Sequence, residues 1–223
     1  MVVVPIVAGV ATTAVNLSLI HGGKIRGTIT DQQNGAAIAG IAVAAYDGSG
    51  NVISSGVSAG DGKYALVAPA GDYRLAAFDG QLRYTTAYSG GAANFETASW
   101  SSVATDATND LNFTLVRGLR LSGKVIDATN VFLSVSNVQV GALDASGNRV
   151  AAATAVDGSF NLVLAPGTYK ILVTDPLDRY HASFYNGALT LAAATPVVVN
   201  ANGPSPITIF LSRLIRRRAA PHA

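Results

Sequence analysis

Cysteine is absent from the 223 residues, and glutamate and tryptophan occur once each, as Glu96 and Trp100. Without cysteine there is no disulfide framework and no thiolate-built metal site. The three histidines, His21, His181 and His222, stand far apart, and no His-Glu-x-x-His or comparable ligand spacing exists. None of them recurs with a nucleophile or a second carboxylate in a pattern that catalysis needs, so no enzyme activity, no metal and no cofactor is expected. Charged residues make up 13% and hydrophobic ones 49%, which excludes a disordered chain. The net charge of +2 owes itself to Arg213, Arg216, Arg217 and Arg218; the rest of the chain is slightly acidic. A nucleic-acid-binding face needs a basic stripe across a folded surface, and that is missing. Long apolar runs are missing too. The uncharged stretch before Lys24 is interrupted by Pro5, Gly9, Thr12, Thr13, Asn16 and Ser18, which argues against a membrane span. It has no basic residue in front of its apolar run, as a signal peptide would.

What the chain does contain is turn chemistry between short alternating runs. Ile41, Val43 and Ala45, and again Val138, Val140 and Ala142, place every second side chain on one face, as a half-buried strand requires. Asp-Gly, Ser-Gly-Asn and Pro-Gly steps separate such runs at hairpin spacing. No window carries a capped 3.6-residue apolar period.

The pattern repeats at an offset of 96 to 97 residues. Lys24–Asp31 (KIRGTITD) matches Arg120–Asp127 (RLSGKVID), Asp47–Asn51 matches Asp144–Asn148, Asp61–Leu66 matches Asp157–Leu162, and Tyr84–Ala92 matches Tyr180–Ala188. The chain is therefore expected to hold two tandem antiparallel β-sandwiches, at 22–117 and 118–213, followed by a basic tail at 214–223. Inward positions are Ile25, Ile29, Tyr64, Leu66, Tyr73 and Leu75 in the first, and Leu121, Val125, Phe160, Leu162, Tyr169 and Ile171 in the second. A third, partial copy lies at the start. Val15–Leu19 matches Leu111–Leu115 and Ile207–Leu211, and Val2–Val4 matches Val197–Val199. Residues 1–21 thus read as an orphan β-hairpin, the closing part of a sandwich whose front is not in this chain.

The stretches SAGDGKYALVAPAGDYRL and TAVDGSFNLVLAPGTYKI resemble the D-G-x-[FY]-x-[LF]…P-G-x-Y signature of carboxypeptidase regulatory-like domains, also called transthyretin-like or prealbumin-like. RYHASFYNGALTLAAATPVVV resembles the tandem form of this module in bacterial surface proteins. The resemblance covers residues 22–212. It implies seven-stranded, Ig-like sandwiches, a structural, adhesive or ligand-presenting role, and no catalysis. Some related adhesin domains crosslink a first-strand Lys to a last-strand Asn beside a buried carboxylate. Lys24 and Asn112 are the pair that fits here; their equivalents Arg120 and Thr208 do not, and the second unit has no Glu.

Among binding candidates, Asp47-x-Ser49-x-Asn51 and Asp144-x-Ser146-x-Asn148 imitate the start of a calcium loop but lack its distal Glu, and read as hairpin turns. Aromatic side chains are the better candidates for partner contact, since they offer large area at low entropic cost. Tyr84/Tyr180 and Tyr88/Phe184 recur between the units, which suits packing; Trp100 and Tyr185 do not recur and are expected to be exposed. Trp100, Tyr185 and Tyr88 are therefore the candidate contacts for a polysaccharide or surface protein. Val2, Val3, Val4, Val15, Leu17 and Leu19 are candidate inter-subunit strands, entering a neighbour's exposed sheet edge by strand addition, and Arg216, Arg217 and Arg218 are a candidate junction tail. Such contacts are head-to-tail and propagate into a filament unless their rotation closes. The composition and the resemblance point to a secreted or cell-surface subunit of a fibre or array. The alternatives are a carbohydrate- or protein-binding adhesion module and an accessory domain of a larger secreted enzyme.

Overall fold

A computed structural model describes residues 6–11, 13, 19, 21–201 and 206–214. The described protein is all-β apart from two single turns of 3-10 helix, Ser89–Gly91 and Tyr185–Gly187. The first half holds β1 (Gly23–Asp31), β2 (Ala42–Tyr46), β3 (Val52–Val57), β4 (Lys63–Ala68), β5 (Gly71–Phe78), β6 (Ala87–Tyr88), β7 (Ser101–Val103), β8 (Thr108–Asp110) and β9 (Phe113–Leu115). The second holds β10 (Leu119–Asp127), β11 (Asn130–Ser134), β12 (Gln139–Leu143), β13 (Arg149–Thr154), β14 (Ser159–Leu164), β15 (Gly167–Thr174), β16 (Ser183–Phe184), β17 (Pro196–Val199) and β18 (Ile207–Leu211).

Each half is a sandwich of two sheets. In one sheet of the first half, β1 lies between β4, antiparallel, and β8 and β9, both parallel to it. The facing sheet runs β3-β2-β5, with the short β6 and β7 both on the outer edge of β5. The second half repeats this plan with β10 between β14 and β18, and with β13-β12-β15 carrying β16 and β17. The strand count is finer than the expected seven. In both halves a two-residue strand, β6 or β16, is added. The closing strand of the first half is broken into β8 and β9, and the second half gains the edge strand β11.

Alternation along the strands produces the two cores. Ile25, Ile29, Leu66, Leu75 and Leu115 are buried in one cluster, and Leu121, Val125, Leu162, Ile171, Ile209 and Leu211 in the other. Each such burial contributes about 1.5–3 kcal/mol. Of the expected inward residues only Tyr169 is half-buried. Its hydroxyl donates to the Ala165 carbonyl at 2.9 Å, as that of Tyr73 does to Pro69 at 2.9 Å, so the Pro-Gly-x-Tyr signature is a corner tied by the tyrosine to the carbonyl four residues before it.

A glycine occurs midway along the first strand of each half because the backbone of the closing strand lies close against it there. A Cβ on Gly27 would overlap the Leu111 carbonyl, and one on Gly123 would overlap that of Ile207. The break between β8 and β9 also has a local cause. The Tyr64 hydroxyl donates to Leu111 O at 2.6 Å, and the Asn112 side-chain oxygen takes the Thr28 N–H at 2.8 Å. The second half has Phe160 and Thr208 at these positions, and β18 runs unbroken along β10.

Candidate functional site

Two arrangements of side chains stand out: a buried polar lock present in both halves, and an aromatic cleft present in only one.

In the lock, Asp31 at the end of β1 is buried, and its Oδ2 accepts hydrogen bonds from the Tyr84 hydroxyl at 2.9 Å and Arg117 Nε at 2.8 Å. In the second half Asp127 Oδ2 accepts from the Tyr180 hydroxyl at 2.9 Å and Arg213 Nε at 2.5 Å. A second buried carboxylate holds the other arginine: Asp79 pairs with Arg83 at 2.8 Å and Asp175 with Arg179 at 2.9 Å. Each tyrosine ring thus lies between two guanidinium groups, Arg83 and Arg117 at 5.6 and 5.8 Å for Tyr84, and Arg179 and Arg213 at 5.8 Å each for Tyr180. Backbone bonds complete the strap. Thr85 N–H donates to Val116 O and Gly118 N–H to Arg83 O, and His181 N–H to Ser212 O and Leu214 N–H to Arg179 O.

Hydrogen bonding keeps these carboxyls ionised. The Gln33 N–H above all, with Tyr84 and Arg117, lowers Asp31 against the opposing effect of burial. The Thr129 hydroxyl and then Arg213 hold Asp127 well below the usual carboxylate range. Burial opposes ionisation of Asp79 and Asp175, and the bonds from Arg83 and Arg179 outweigh it. Asp31/Asp127, Asp79/Asp175, Arg83/Arg179, Tyr84/Tyr180 and Arg117/Arg213 all stand 96 positions apart. That shared offset was the available signal; reading each Arg as a solvated surface charge misses it.

The cleft occupies the outer face of the β2–β5 sheet, at the junction with the second half. Tyr46 ends β2, Arg74 is its register partner on β5, Tyr88 ends β6, and Phe95 comes from the loop before β7. Tyr46 meets Phe95 edge-on at 5.1 Å, and Tyr88 meets it at 6.4 Å. The Arg74 guanidinium lies 4.4 Å from the Trp100 ring centre and 5.6 Å from that of Phe95. Its Nε is buried without a hydrogen-bond partner. Ala76 floors a cavity of about 550 Å³ walled by Tyr46, Phe78, Tyr88 and Phe95. A second, of about 410 Å³, lies between Asn94, Glu96 and Thr97 of the first half and the β12–β13–β15 face of the second. Across the junction Arg149 Nη2 pairs with Glu96 Oε1 at 3.4 Å.

The candidate contacts separate accordingly. Tyr88 and Trp100 belong to one cluster, joined through Phe95 and Arg74. Trp100 is 48% exposed and braces Arg74, while Tyr88 lines the cavity. Tyr185, expected to be exposed, is half-buried against the core of the second half. Tyr46, Arg74 and Phe95 were not legible as part of a site, because they are brought together by sheet register and a loop.

Other candidates resolve locally. Lys24 is exposed on β1 opposite Thr108, whereas Asn112 lies beside Thr28, so the two are not placed for a crosslink. Asp47 Oδ1 accepts the Ser49 and Asn51 N–H groups at 2.9 Å each, and Asp144 does the same for Ser146 and Asn148. Both are self-contained hairpin turns. Among the described residues no group of three or more His, Asp or Glu is placed to hold a metal, and no helix is long and apolar enough to cross a membrane. Leu19 is exposed; Val2, Val3, Val4, Val15, Leu17, Arg216, Arg217 and Arg218 lie outside the described residues.

No curated protein matches the sequence. Among solved structures, the chain is similar to the Bacillus anthracis TIE protein, with 15% identity and a TM-score of 0.37 over 86% of this chain and 34% of that one. It is similar to a streptococcal ancillary pilin, with 13% identity and a TM-score of 0.34 over 88% and 63%. It is also similar to the shaft pilin SpaA of Lactobacillus rhamnosus GG, with 12% identity and a TM-score of 0.37 over 88% of this chain and 100% of that one. The chain thus spans about a third of the TIE protein and under two thirds of the ancillary pilin. At these scores the likeness carries no argument about function. The family model of the carboxypeptidase regulatory-like domain matches residues 24–116. Over those residues, with the glycine of β1, the Asp-Gly turn before β4 and the tyrosine corner in place, the first half of the chain is similar to a carboxypeptidase regulatory-like domain.

Proposed function

We propose that the protein is a non-catalytic structural module of the cell exterior, a stiff unit of a surface fibre or array built from two sandwiches at 22–117 and 118–213. The joint carries this reading. Strand β9 ends at Leu115 and β10 begins at Leu119. Of the three residues between, Arg117 is fastened to the buried Asp31, and Val116 and Gly118 are hydrogen-bonded to the Arg83–Thr85 segment. A Cβ on Gly118, the first residue of the second half, would come within 3.2 Å of the Thr85 side chain of the first, so the two halves approach closely here. A joint without free linker transmits force and orientation, which a spacer needs and a catalyst does not. The same strap closes the second half at Arg213, as suits a unit that can be followed by another.

Assembly by strand addition through residues 1–21 is part of this proposal. Its support is the sequence match of Val15–Leu19 to β9 and β18, closing strands that both halves already possess. The full chain is compared with one starting at Gly22 by light scattering and negative-stain microscopy. Concentration-dependent, end-to-end particles formed only by the full chain support it; monodisperse monomers of both at high concentration reject it. Labelling of intact cells by an antibody to the protein tests the exterior location, and signal obtained only after lysis rejects it.

A further inference from the structure

We propose that the cleft at the junction of the two halves binds a segment of a neutral polysaccharide, with pyranose rings laid on Tyr46, Tyr88 and Phe95 and hydroxyls held by Glu96, Gln139 and Arg149. The proposal does not rest on the assembly reading, and either can fail without the other.

Three observations lead to this ligand class. The first is the mixture of surfaces. Sugar rings present apolar C–H faces and a rim of hydroxyls, and a site for them combines aromatic walls with planar polar groups able to donate and accept in pairs. Here the aromatic walls come from the first half, and Gln139 and Arg149 face them from β12 and β13 of the second, with Glu96 beside them. The second is charge. Glu96 and Arg149 are the ionisable acid and base lining the cavities, and they pair with each other at 3.4 Å. The charges lining the cavities therefore offset each other, and the Arg74 guanidinium lies against the Trp100 and Phe95 rings and lines neither cavity, which suits a neutral ligand. The third is shape. The two cavities, about 410 and 550 Å³, fall in the range of ligand sites, share Ala152, and open to solvent rather than enclosing a space. Such a trough suits a chain that passes through it.

The aromatic walls are also set before any ligand arrives. Phe95 is packed edge-on by Tyr46 and Tyr88, and Arg74 lies against it with an Nε that has no hydrogen-bond partner. Rings already held in place lose little entropy on binding. The equivalent face of the second half has Leu143, Lys170, Leu172 and Leu191 in place of Tyr46, Arg74, Ala76 and Phe95, so a single site per chain is expected.

The test is titration calorimetry of the full chain with cellohexaose, maltohexaose and chitohexaose at up to millimolar concentration. It is followed in parallel by fluorescence of Trp100, which lies against Arg74 beside Phe95. Binding of at least one hexasaccharide at one site per chain is expected. Tyr88→Ala and Phe95→Ala should each lower its association constant roughly tenfold, and Tyr88→Phe should keep most of it. Arg149 is exposed, so Arg149→Ala tests the cleft without threatening the fold, and it should weaken binding with the melting temperature unchanged. Phe132→Ala, at a 95% exposed side chain on β11 outside the cleft, should leave binding as it is. Failure of all three sugars to bind overturns the proposal, as does binding that Phe95→Ala and Arg149→Ala both leave intact. Capture of a surface protein through the same residues, with no sugar bound, overturns it in favour of a protein partner.

Discussion

Asp127 is fully buried, yet its carboxyl is held well below the ordinary range, by the Thr129 hydroxyl foremost and then by Arg213. In the unfolded chain an aspartate titrates near about 3.9. Because the folded value is the lower one, the native state binds fewer protons in this window. The stabilisation is present above about pH 4 and is lost as pH falls below it. Asp31, Asp79 and Asp175 shift in the same direction, so acid weakens both halves together. Asp127→Asn should lower the melting temperature near neutral pH and flatten the loss of stability between about pH 4 and pH 2. Thermal unfolding followed by circular dichroism at several pH values checks this; a wild-type acid slope in the variant removes Asp127 from the account. Tyr180→Phe deletes only the hydroxyl bond to the same oxygen and should cost about 1 kcal/mol, measured by urea unfolding.

At the scale of elements, the closing strand is what each half can least afford to shift. It lies parallel on the first strand, and Gly27 and Gly123 sit where its backbone passes. Gly27→Ala pushes a methyl group into the Leu111 carbonyl, which is also bonded to the Tyr64 hydroxyl, so the strand must move and that bond must lengthen. A loss of about 1–3 kcal/mol is expected, read as a lower urea midpoint; an unchanged midpoint would mean that the strand edge is softer than argued. These glycines, the strand alternation and the tyrosine corners were legible in the sequence because each is a local or repeated constraint. Other features were not. β11 replaces a turn after a one-residue insertion, and its Val131, Phe132 and Leu133 are all exposed, without the inward–outward alternation that identifies a strand. Tyr185 looked free because it has no aromatic counterpart at the repeat offset, yet it packs half-buried on the second core. The cleft depends on Arg149 meeting Glu96 from the other half, a contact 53 positions apart that no periodicity reveals.

For the whole molecule, the two locks offer a matched experiment, because the same Asp–Tyr–Arg arrangement sits at two places with different consequences. Arg117 and Arg213 both pair with a buried aspartate and flank a tyrosine ring, but only Arg117 lies between the halves. Removing either guanidinium leaves a buried carboxylate with one partner fewer, so both substitutions should destabilise their own half to a similar degree. Only Arg117→Ala should also loosen the joint, since Val116 and Gly118 then depend on two backbone bonds to the Arg83–Thr85 segment. Small-angle scattering should show a broader distance distribution for Arg117→Ala than for wild type. Thermolysin, which cuts before Val and Leu, should open the chain near Val116 or Leu119. Arg213→Ala should match wild type in both measurements while sharing the loss in melting temperature. If Arg117→Ala scatters like wild type and resists cleavage, the lock does not set the stiffness. The joint would then rest on the close approach at Gly118 and the Glu96–Arg149 pair, and Arg149→Ala would be the variant that bends it.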